Sequence, residues 1–218
     1  MVRGLMMVKG WARISGKKQD VIPFNEIVEK VKKAKLSLEH EAYFWILYYC
    51  GVRKSEGYER TVDDFVISKE FVSIDFHQRK KHGKTVPPLD LPLKWHGVKS
   101  IVEVVQKRKK ACHKTVFRYI EKKRTPKRVK AIWVFPYINS TTAYNIVKKV
   151  LGVGWYPHFL RLNRLSIIGS DPNAGFLRIS SVSGIKSMKA MERYLGVSKR
   201  EQDKARQFVD EEYSIEKT

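Results

Sequence analysis

The spacing of apolar residues changes along the chain, from a helical pattern to a strand pattern and back to a helical one. Between residues 37 and 51 apolar side chains recur on a helical face, whereas residues 62–92 hold short runs of β-branched and aromatic residues typical of strands. Helical spacing returns after residue 95. This order predicts an α+β fold that is mostly α, with a small three-stranded antiparallel sheet.

The helix predicted over residues 37–51 has the clearest boundaries. Ser37 is a favoured N-cap residue, Glu39 and Glu41 place negative charge in the first turn, and Gly51 is a common stop signal. A helix is also predicted over 25–35, with Asn25 as its cap. Longer helices are predicted over 95–119, 141–151 and 157–169. Two short helices follow, one of which ends near residue 195, and a last helix is predicted over 198–212.

Three strands and a cationic turn are predicted in the middle of the chain. The strands are Val62–Ile67, Phe71–Phe76 and Thr85–Leu91. Pro87 and Pro88 confine the last strand to an edge of the sheet, because proline cannot donate to a ladder. Residues 79–84 form a basic turn with a glycine near its tip, while residues 122–130, with six Lys or Arg among nine, are predicted to be a loop or a phosphate-contacting segment.

The excess of basic residues indicates a polyanionic partner. The chain has 218 residues, with 44 Lys plus Arg against 22 Asp plus Glu, and a net charge of +22. Charge of one sign repels itself in a compact fold, and nucleic acid is the commonest polyanion that neutralises it. The alternatives are an acidic membrane surface and a basic ribosomal or chromatin-like binder. No apolar run reaches the roughly 18 residues that span a bilayer, and no signal-peptide pattern is present.

The cysteines favour an intracellular protein. Cys50 and Cys112 are too few for a disulfide framework or a zinc cluster. Cys50 ends an apolar helical run, so it is interpreted as a small core residue.

Three short segments carry residues that suit chemistry on a phosphate. Arg53 lies in GVRKSE, residues 51–56, just past a predicted helix end, where most arginines are solvated or capping groups. His158 and Arg161 share a face in the first turn of a predicted helix, whose N–H groups favour a phosphate, although an ordinary exposed basic pair explains them equally well. Tyr194 taken alone is more often a core residue than a nucleophile.

Together these segments resemble the tyrosine recombinase and integrase family, which includes phage and archaeal integrases. The first motif of that family is a glycine, an apolar residue, an arginine, two residues and a glutamate, matched by Gly51, Val52, Arg53 and Glu56. The second motif, His, two residues and Arg, is matched by His158 and Arg161. The nucleophile of the family is matched by Tyr194, which follows Arg161 by 33 residues. The resemblance covers roughly residues 35–196.

The resemblance also implies two lysines. The family carries a lysine on a β-hairpin between the two motifs, and Lys81 in the basic turn aligns best with it, with Lys80 and Lys84 as alternatives. The family generally has His or Trp about nine residues before the tyrosine, where this chain has Ile185. The adjacent Lys186 is the polar candidate there, and some archaeal members look similar in using lysine.

The activity implied is that of a site-specific recombinase or integrase, which cleaves and rejoins DNA strands through a 3′-phosphotyrosine. Arg53 and Arg161 are expected to stabilise charge on the phosphate oxygens. Tyr194 is expected to attack the phosphorus and His158 to accept or relay its proton. Lys81 is expected to protonate the leaving 5′ oxygen. No metal, other cofactor or small-molecule substrate is expected.

The expected organisation is a basic N-terminal extension (1–20), a catalytic domain (21–197) and a C-terminal helical tail (198–218), which either packs on a neighbouring protomer or frays. The separate helical domain that usually precedes the catalytic one is predicted to have been removed, or to be lacking in a minimal form. Double-stranded DNA and other copies of the chain, as a tetramer in a synapse, are the expected partners. No membrane partner is expected, and the location predicted is cytoplasmic and nucleoid-associated.

Two other functions stay open beside the recombinase. A type IB-like topoisomerase resembles the family in mechanism but relaxes supercoils instead of exchanging strands. A basic DNA-binding protein with a decayed active site has the same charge without the chemistry. An RNA-binding function would account for the charge of the chain. It would not account for the order of Arg53, the basic turn, His158, Arg161 and Tyr194.

Overall fold

The computed structural model describes residues 11–14, 17–20, 22–78, 84–85, 88–108, 113–118 and 127–169, with side chains over 22–76, 88–108 and 131–165. The elements in chain order are β1 (Trp11–Ile14), β2 (Lys17–Asp20), α1 (Phe24–Ala34), α2 (Leu38–Cys50), α3 (Lys54–Tyr58), a 3-10 turn (Val62–Asp64), β3 (Phe65–Ile67), β4 (Phe71–Ile74), β5 (His77–Gln78), β6 (Lys84–Thr85), β7 (Leu89–Pro92), α4 (Val98–Arg108), β8 (His113–Arg118), β9 (Lys127–Ile132), α5 (Ser140–Leu151) and α6 (Pro157–Gly169). The predicted α+β fold, mostly α with a small three-stranded antiparallel sheet, is confirmed.

Helix α2 forms the centre of the core. The Ser37 side chain caps it by accepting a hydrogen bond from the backbone N–H of His40, and Gly51 ends it in the left-handed conformation at φ 55°. Every residue from Ala42 to Cys50 is buried, and helices α4, α5 and α6 pack against α2. Burial raises the pKa of the Cys50 thiol, as suits the core cysteine that the sequence predicts.

The three-stranded sheet follows the 3-10 turn. Its strand order is β3-β4-β7, all antiparallel, so β7 lies at an edge of this sheet as predicted. Strands β5 and β6 form a separate ladder, in which His77 is opposite Thr85 and Gln78 is opposite Lys84. The basic turn therefore has paired strands on both sides, while residues 79–83 lie outside the described residues.

Two predictions between α4 and α5 are wrong: the helix does not reach residue 119, and the loop predicted over 122–130 is a strand from Lys127 onwards. Helix α4 ends at Arg108 instead of near residue 119, and the chain then forms the antiparallel ribbon β8–β9. The β-branched and aromatic residues of β8 favour a strand once β9 offers partners such as Val129 opposite Val116. The high charge of residues 122–130 concealed this pairing in the sequence.

The N-terminal part contacts the last described helix. Strands β1 and β2 pair in antiparallel register, and β1 contacts α6. The buried Asn163 side chain accepts a hydrogen bond from the backbone N–H of Ile22 at 2.8 Å and donates to its carbonyl at 3.1 Å. Pro23 occupies the N-cap position of α1, so the predicted cap at Asn25 is wrong by two residues. No helix among the described residues is long and apolar enough to cross a membrane.

Candidate active site

Arg53 lies where the chain leaves the core helix α2 and begins α3. It occupies the N-cap position of α3, and its backbone N–H donates to Glu56 Oε2 at 2.8 Å. Its guanidinium Nη1 donates to Glu56 Oε1 at 2.7 Å. The Glu56 side chain is 7% exposed, whereas the Arg53 side chain is 44% exposed. Glu56 therefore holds the guanidinium from the protein side while leaving it accessible at the surface.

Close packing fixes the position of α3 against α2. A Cβ added at Gly57 would approach the Tyr43 ring to 3.0 Å and Leu47 to 3.2 Å, so glycine lets the two helices come this close. The Tyr43 hydroxyl donates to the carbonyl of Lys54 at 2.9 Å, and Lys54 Nζ donates to Ser140 Oγ at 2.6 Å. These contacts anchor the segment that carries Arg53 on both sides.

Helix α6 presents the other two described candidates, His158 and Arg161. Pro157 begins the helix, where its missing N–H costs nothing. His158 lies in the first turn with only part of its surface covered, whereas Arg161 is buried, with 9% of its surface exposed. Arg161 Nη1 donates to the carbonyl of Gly51, which ends α2. A contact across 110 residues thus joins the two sequence motifs.

The three described candidates share one electrostatic environment. The pKa of His158 lies below its usual value, because partial burial of the ring and then the positive charges of Arg161 and Arg53 disfavour its protonated form. The imidazole is therefore neutral near pH 7 and can accept a proton. Two cations beside a neutral proton acceptor can bind an anionic phosphate oxygen and assist attack on its phosphorus.

The other predicted site residues lie outside the described residues. Lys81 and its alternative Lys80 fall in residues 79–83, while Lys186 and Tyr194 follow residue 169. Lys84 is placed on β6, in the ladder that borders the basic turn. The structure brings Arg53, His158 and Arg161 together, and the roles of all the site residues stay predictions from the resemblance.

The sequence interpretation assigned no role to Glu56 beyond its place in a motif. Its twofold contact with Arg53 is a positioning interaction, visible in the sequence as an acidic residue three places after a helix start. The carbonyl of Gly51, which accepts from Arg161, had no such local signal.

A cavity of about 450 Å³ adjoins Arg164, one turn beyond Arg161 on α6. It is lined by Phe24, Tyr48, Tyr49, Lys94, Trp95, His96 and Arg164. The Arg164 Nε is buried and has no hydrogen-bond partner within the described part of the chain. Burial raises the pKa of Tyr49, while the charge of Arg164 opposes that rise. Among the described residues, no group of three or more His, Cys, Asp or Glu is placed to hold a metal ion.

Solved structures resemble this fold, although no family model and no curated protein matches the sequence. The XerH site-specific recombinase bound to difH substrate, in a pre-cleavage complex, has a TM-score of 0.60 and 14% identity over 90% of this chain and 56% of its own. The XerA recombinase has a TM-score of 0.53 and 16% identity over 86% of this chain and 62% of its own. The Tn1549 transposon integrase in complex with transposon right end DNA has a TM-score of 0.57 and 13% identity over 89% of this chain and 68% of its own.

The described chain therefore has the fold of tyrosine recombinase catalytic domains, as the sequence resemblance implies. It spans only about half to two thirds of the length of these proteins.

Proposed function

We propose that this chain is the catalytic part of a tyrosine-type site-specific DNA recombinase, which cleaves and rejoins DNA through a covalent 3′-phosphotyrosine. A fold hosts many functions, so the proposal depends on the site. The observation that carries it is the contact from Arg161 to the carbonyl of Gly51, which brings the Arg53 segment and the His158–Arg161 segment together.

In the proposed reaction Arg53 and Arg161 neutralise the phosphate that is attacked. The transition state gathers negative charge on the non-bridging oxygens, and guanidinium groups bind two such oxygens through parallel N–H donors. Glu56 keeps Arg53 in place and accessible before DNA arrives. This prior ordering matters because a side chain that is already fixed loses less entropy on binding.

The covalent step breaks one phosphate ester and forms another. The Tyr194 oxygen bonds to phosphorus while the bond to the 5′ oxygen breaks. His158 accepts or relays the phenol proton, and Lys81 gives a proton to the departing 5′ oxygen. Because the new ester to tyrosine conserves the free energy of the broken one, attack by a 5′ hydroxyl on the phosphotyrosine reverses the step without ATP and releases the tyrosine. Lys186 is assigned to the same site by its place before Tyr194.

Double-stranded DNA is the proposed substrate, and strand exchange between two duplexes would join four copies of the chain. The net charge of +22 suits contact with many phosphates. The XerH structure is described as bound to difH substrate and the Tn1549 integrase as in complex with transposon DNA, which supports DNA as the partner here.

A covalent-trapping experiment tests the proposal without knowledge of the target sequence. The full chain is mixed with a pool of duplexes that carry one nick within randomised sequence, so that cleavage near the nick releases a short strand and prevents religation. Adducts that survive detergent are isolated, and their peptide is identified by mass spectrometry. We expect an adduct on Tyr194 with the native chain and none with Tyr194→Phe.

The same experiment distinguishes the alternatives. DNA binding without an adduct, or an equal adduct with Tyr194→Phe, contradicts the proposal and favours a DNA-binding protein with a decayed site. If adducts form, the trapped sequences are placed on two plasmids. Joined plasmids indicate a recombinase, whereas relaxation of supercoils without joining indicates a type IB-like topoisomerase.

A further inference from the structure

We infer that the β8–β9 ribbon is a second DNA-contacting element, which binds the phosphate backbone of a duplex engaged at the candidate active site. The inference rests on the proposed function for its choice of duplex DNA. Its own observations are the register of the ribbon, its charge and its anchorage.

The register places like charges directly opposite each other. Arg118 lies opposite Lys127 in the antiparallel ladder, at the end of the ribbon away from Trp133. Directly opposed like charges destabilise a two-stranded ladder unless a counter-charge is near. The two strands also contain Lys114, Arg128 and Lys130, and neither strand contains Asp or Glu. The ribbon therefore needs an anion from outside its own strands.

Two helices of the same chain, α1 and α4, carry acidic residues that pair with their lysines. Three lysines on α1 and α4 each pair with a glutamate one turn away, in the pairs Lys30–Glu26, Lys32–Glu29 and Lys107–Glu103. Such pairs neutralise the helix surface. The strands β8 and β9, in contrast to α1 and α4, offer no acidic partner within their own length.

Strand alternation distributes the basic positions over both faces of the ribbon. Arg118 and Lys127 share one face with the opposed pair Val116 and Val129, whereas Arg128 lies opposite Phe117 on the other face. Six residues of strand extend roughly 20 Å, a length over which one DNA strand presents about six phosphates. A ribbon of this width and length can lie along a duplex and bind several phosphates at once.

The base of the ribbon is anchored to the segment that follows α3. Trp133 continues from β9 and bridges to Thr61, and the backbone N–H of Val134 donates to the carbonyl of Arg60 at 3.0 Å. Arg60 is buried, with its Nη1 3.6 Å from Asp64 Oδ2 and donating to the carbonyl of Asp75 at 2.8 Å. The ribbon is therefore fixed to the segment that follows α3, the helix that begins after Arg53.

Salt-dependent binding to a mixed-sequence duplex tests the inference. The variant Arg118→Gln/Lys127→Gln is compared with the native chain, and with Lys33→Gln/Lys99→Gln, which removes two charges from exposed positions on α1 and α4. The logarithm of affinity falls linearly with the logarithm of salt, by about 0.9 for each phosphate neutralised. We expect the slope to fall by roughly two in the ribbon variant and to stay unchanged in the control.

Two further variants separate charge from folding. The exchange Arg118→Lys/Lys127→Arg keeps both charges and is expected to retain the native slope, while circular dichroism checks that every variant folds. If the salt slope falls equally in the ribbon variant and in the control, the effect comes from net charge alone, and the inference is overturned. An unchanged slope in the ribbon variant would overturn it too, and a changed sedimentation coefficient without DNA would then indicate a contact between copies.

The inference and the proposed function fail in different measurements. If the ribbon binds only phosphates, the fraction of saturated complex trapped on Tyr194 is the same in the native chain and the ribbon variant. If the native chain forms no adduct but the ribbon variant shows a smaller salt slope, the ribbon inference stands and the proposed recombinase function is contradicted. If the native chain forms the adduct and the ribbon variant keeps the native salt slope, the proposed function stands and the ribbon inference is contradicted.

Discussion

The helical body around α2 and the β8–β9 ribbon differ in how their charged residues are arranged. In the body, α2 is buried from Ala42 to Cys50, and lysines on α1 and α4 pair with glutamates. The ribbon concentrates charge, with like charges opposed at Arg118 and Lys127. If the inference about the ribbon is right, a polyanion stabilises the ribbon more than it stabilises the body.

Replacement of Trp45 tests the body side of this comparison most strongly. Trp45 is fully buried, contacts the rings of Tyr49 and His96 at centroid distances of 5.5 and 5.3 Å, and leaves no room for a Cβ at Gly97. Trp45→Ala is expected to lower the free energy of unfolding by about 3–5 kcal/mol, as measured by chemical denaturation. A loss below about 1 kcal/mol would mean that α2 is not the centre of the core.

Removal of Arg161 tests the join between the two motifs. Arg161→Ala removes the proposed transition-state contact and leaves the carbonyl of Gly51 without this donor. The rate of adduct formation is expected to fall roughly 10²–10³-fold in single-turnover measurements at saturating DNA. The matched variant Arg164→Ala, one turn further along α6, is expected to change that rate much less. Equal losses would assign both arginines to structure instead of to the reacting phosphate.

The pH dependence tests whether Arg53 and His158 share one site. Because burial and two cations lower the pKa of His158 in the folded chain, its neutral form persists into mildly acidic solution and is lost only as pH falls through the lowered value. Removing a cation favours the protonated form, so Arg53→Gln is expected to raise this pKa, measured by NMR titration of the ring. Lys33→Gln is the control that leaves the pKa unchanged. An unchanged pKa in Arg53→Gln would separate the two residues.

Arg164 is an exception within the body, since its buried Nε has no hydrogen-bond partner among the described residues and lies beside an aromatic cavity. A buried N–H group left without a hydrogen bond lowers stability, and an apolar side chain of similar length removes that penalty. Arg164→Met is therefore expected to raise the free energy of unfolding by about 1 kcal/mol in chemical denaturation. A loss of similar size would show that the guanidinium stabilises the cavity wall.

The sequence predicted those parts of the fold and site that depend on local signals. Helix α2 begins after Ser37 and ends before Gly51, and α6 begins at Pro157, because caps and stop signals act within one turn. The β8–β9 ribbon was missed, because a strand of this kind is stable only with a partner elsewhere in the chain. The contact from Arg161 to Gly51 spans 110 residues and depends on the packing of α6 against α2.

The ribbon variant Arg118→Gln/Lys127→Gln has the smallest expected effect on stability, and it tests the difference between the body and the ribbon directly. Removing an opposed pair of like charges is expected to raise the free energy of unfolding by about 0.2–1 kcal/mol at low salt, measured by thermal denaturation without DNA. Screening weakens the native repulsion, so the gain is expected to shrink as salt rises. The same substitution is expected to reduce the stabilisation that duplex DNA gives, because fewer phosphates are bound. A variant less stable than the native chain at every salt concentration would contradict the view that this charge is kept for a polyanion.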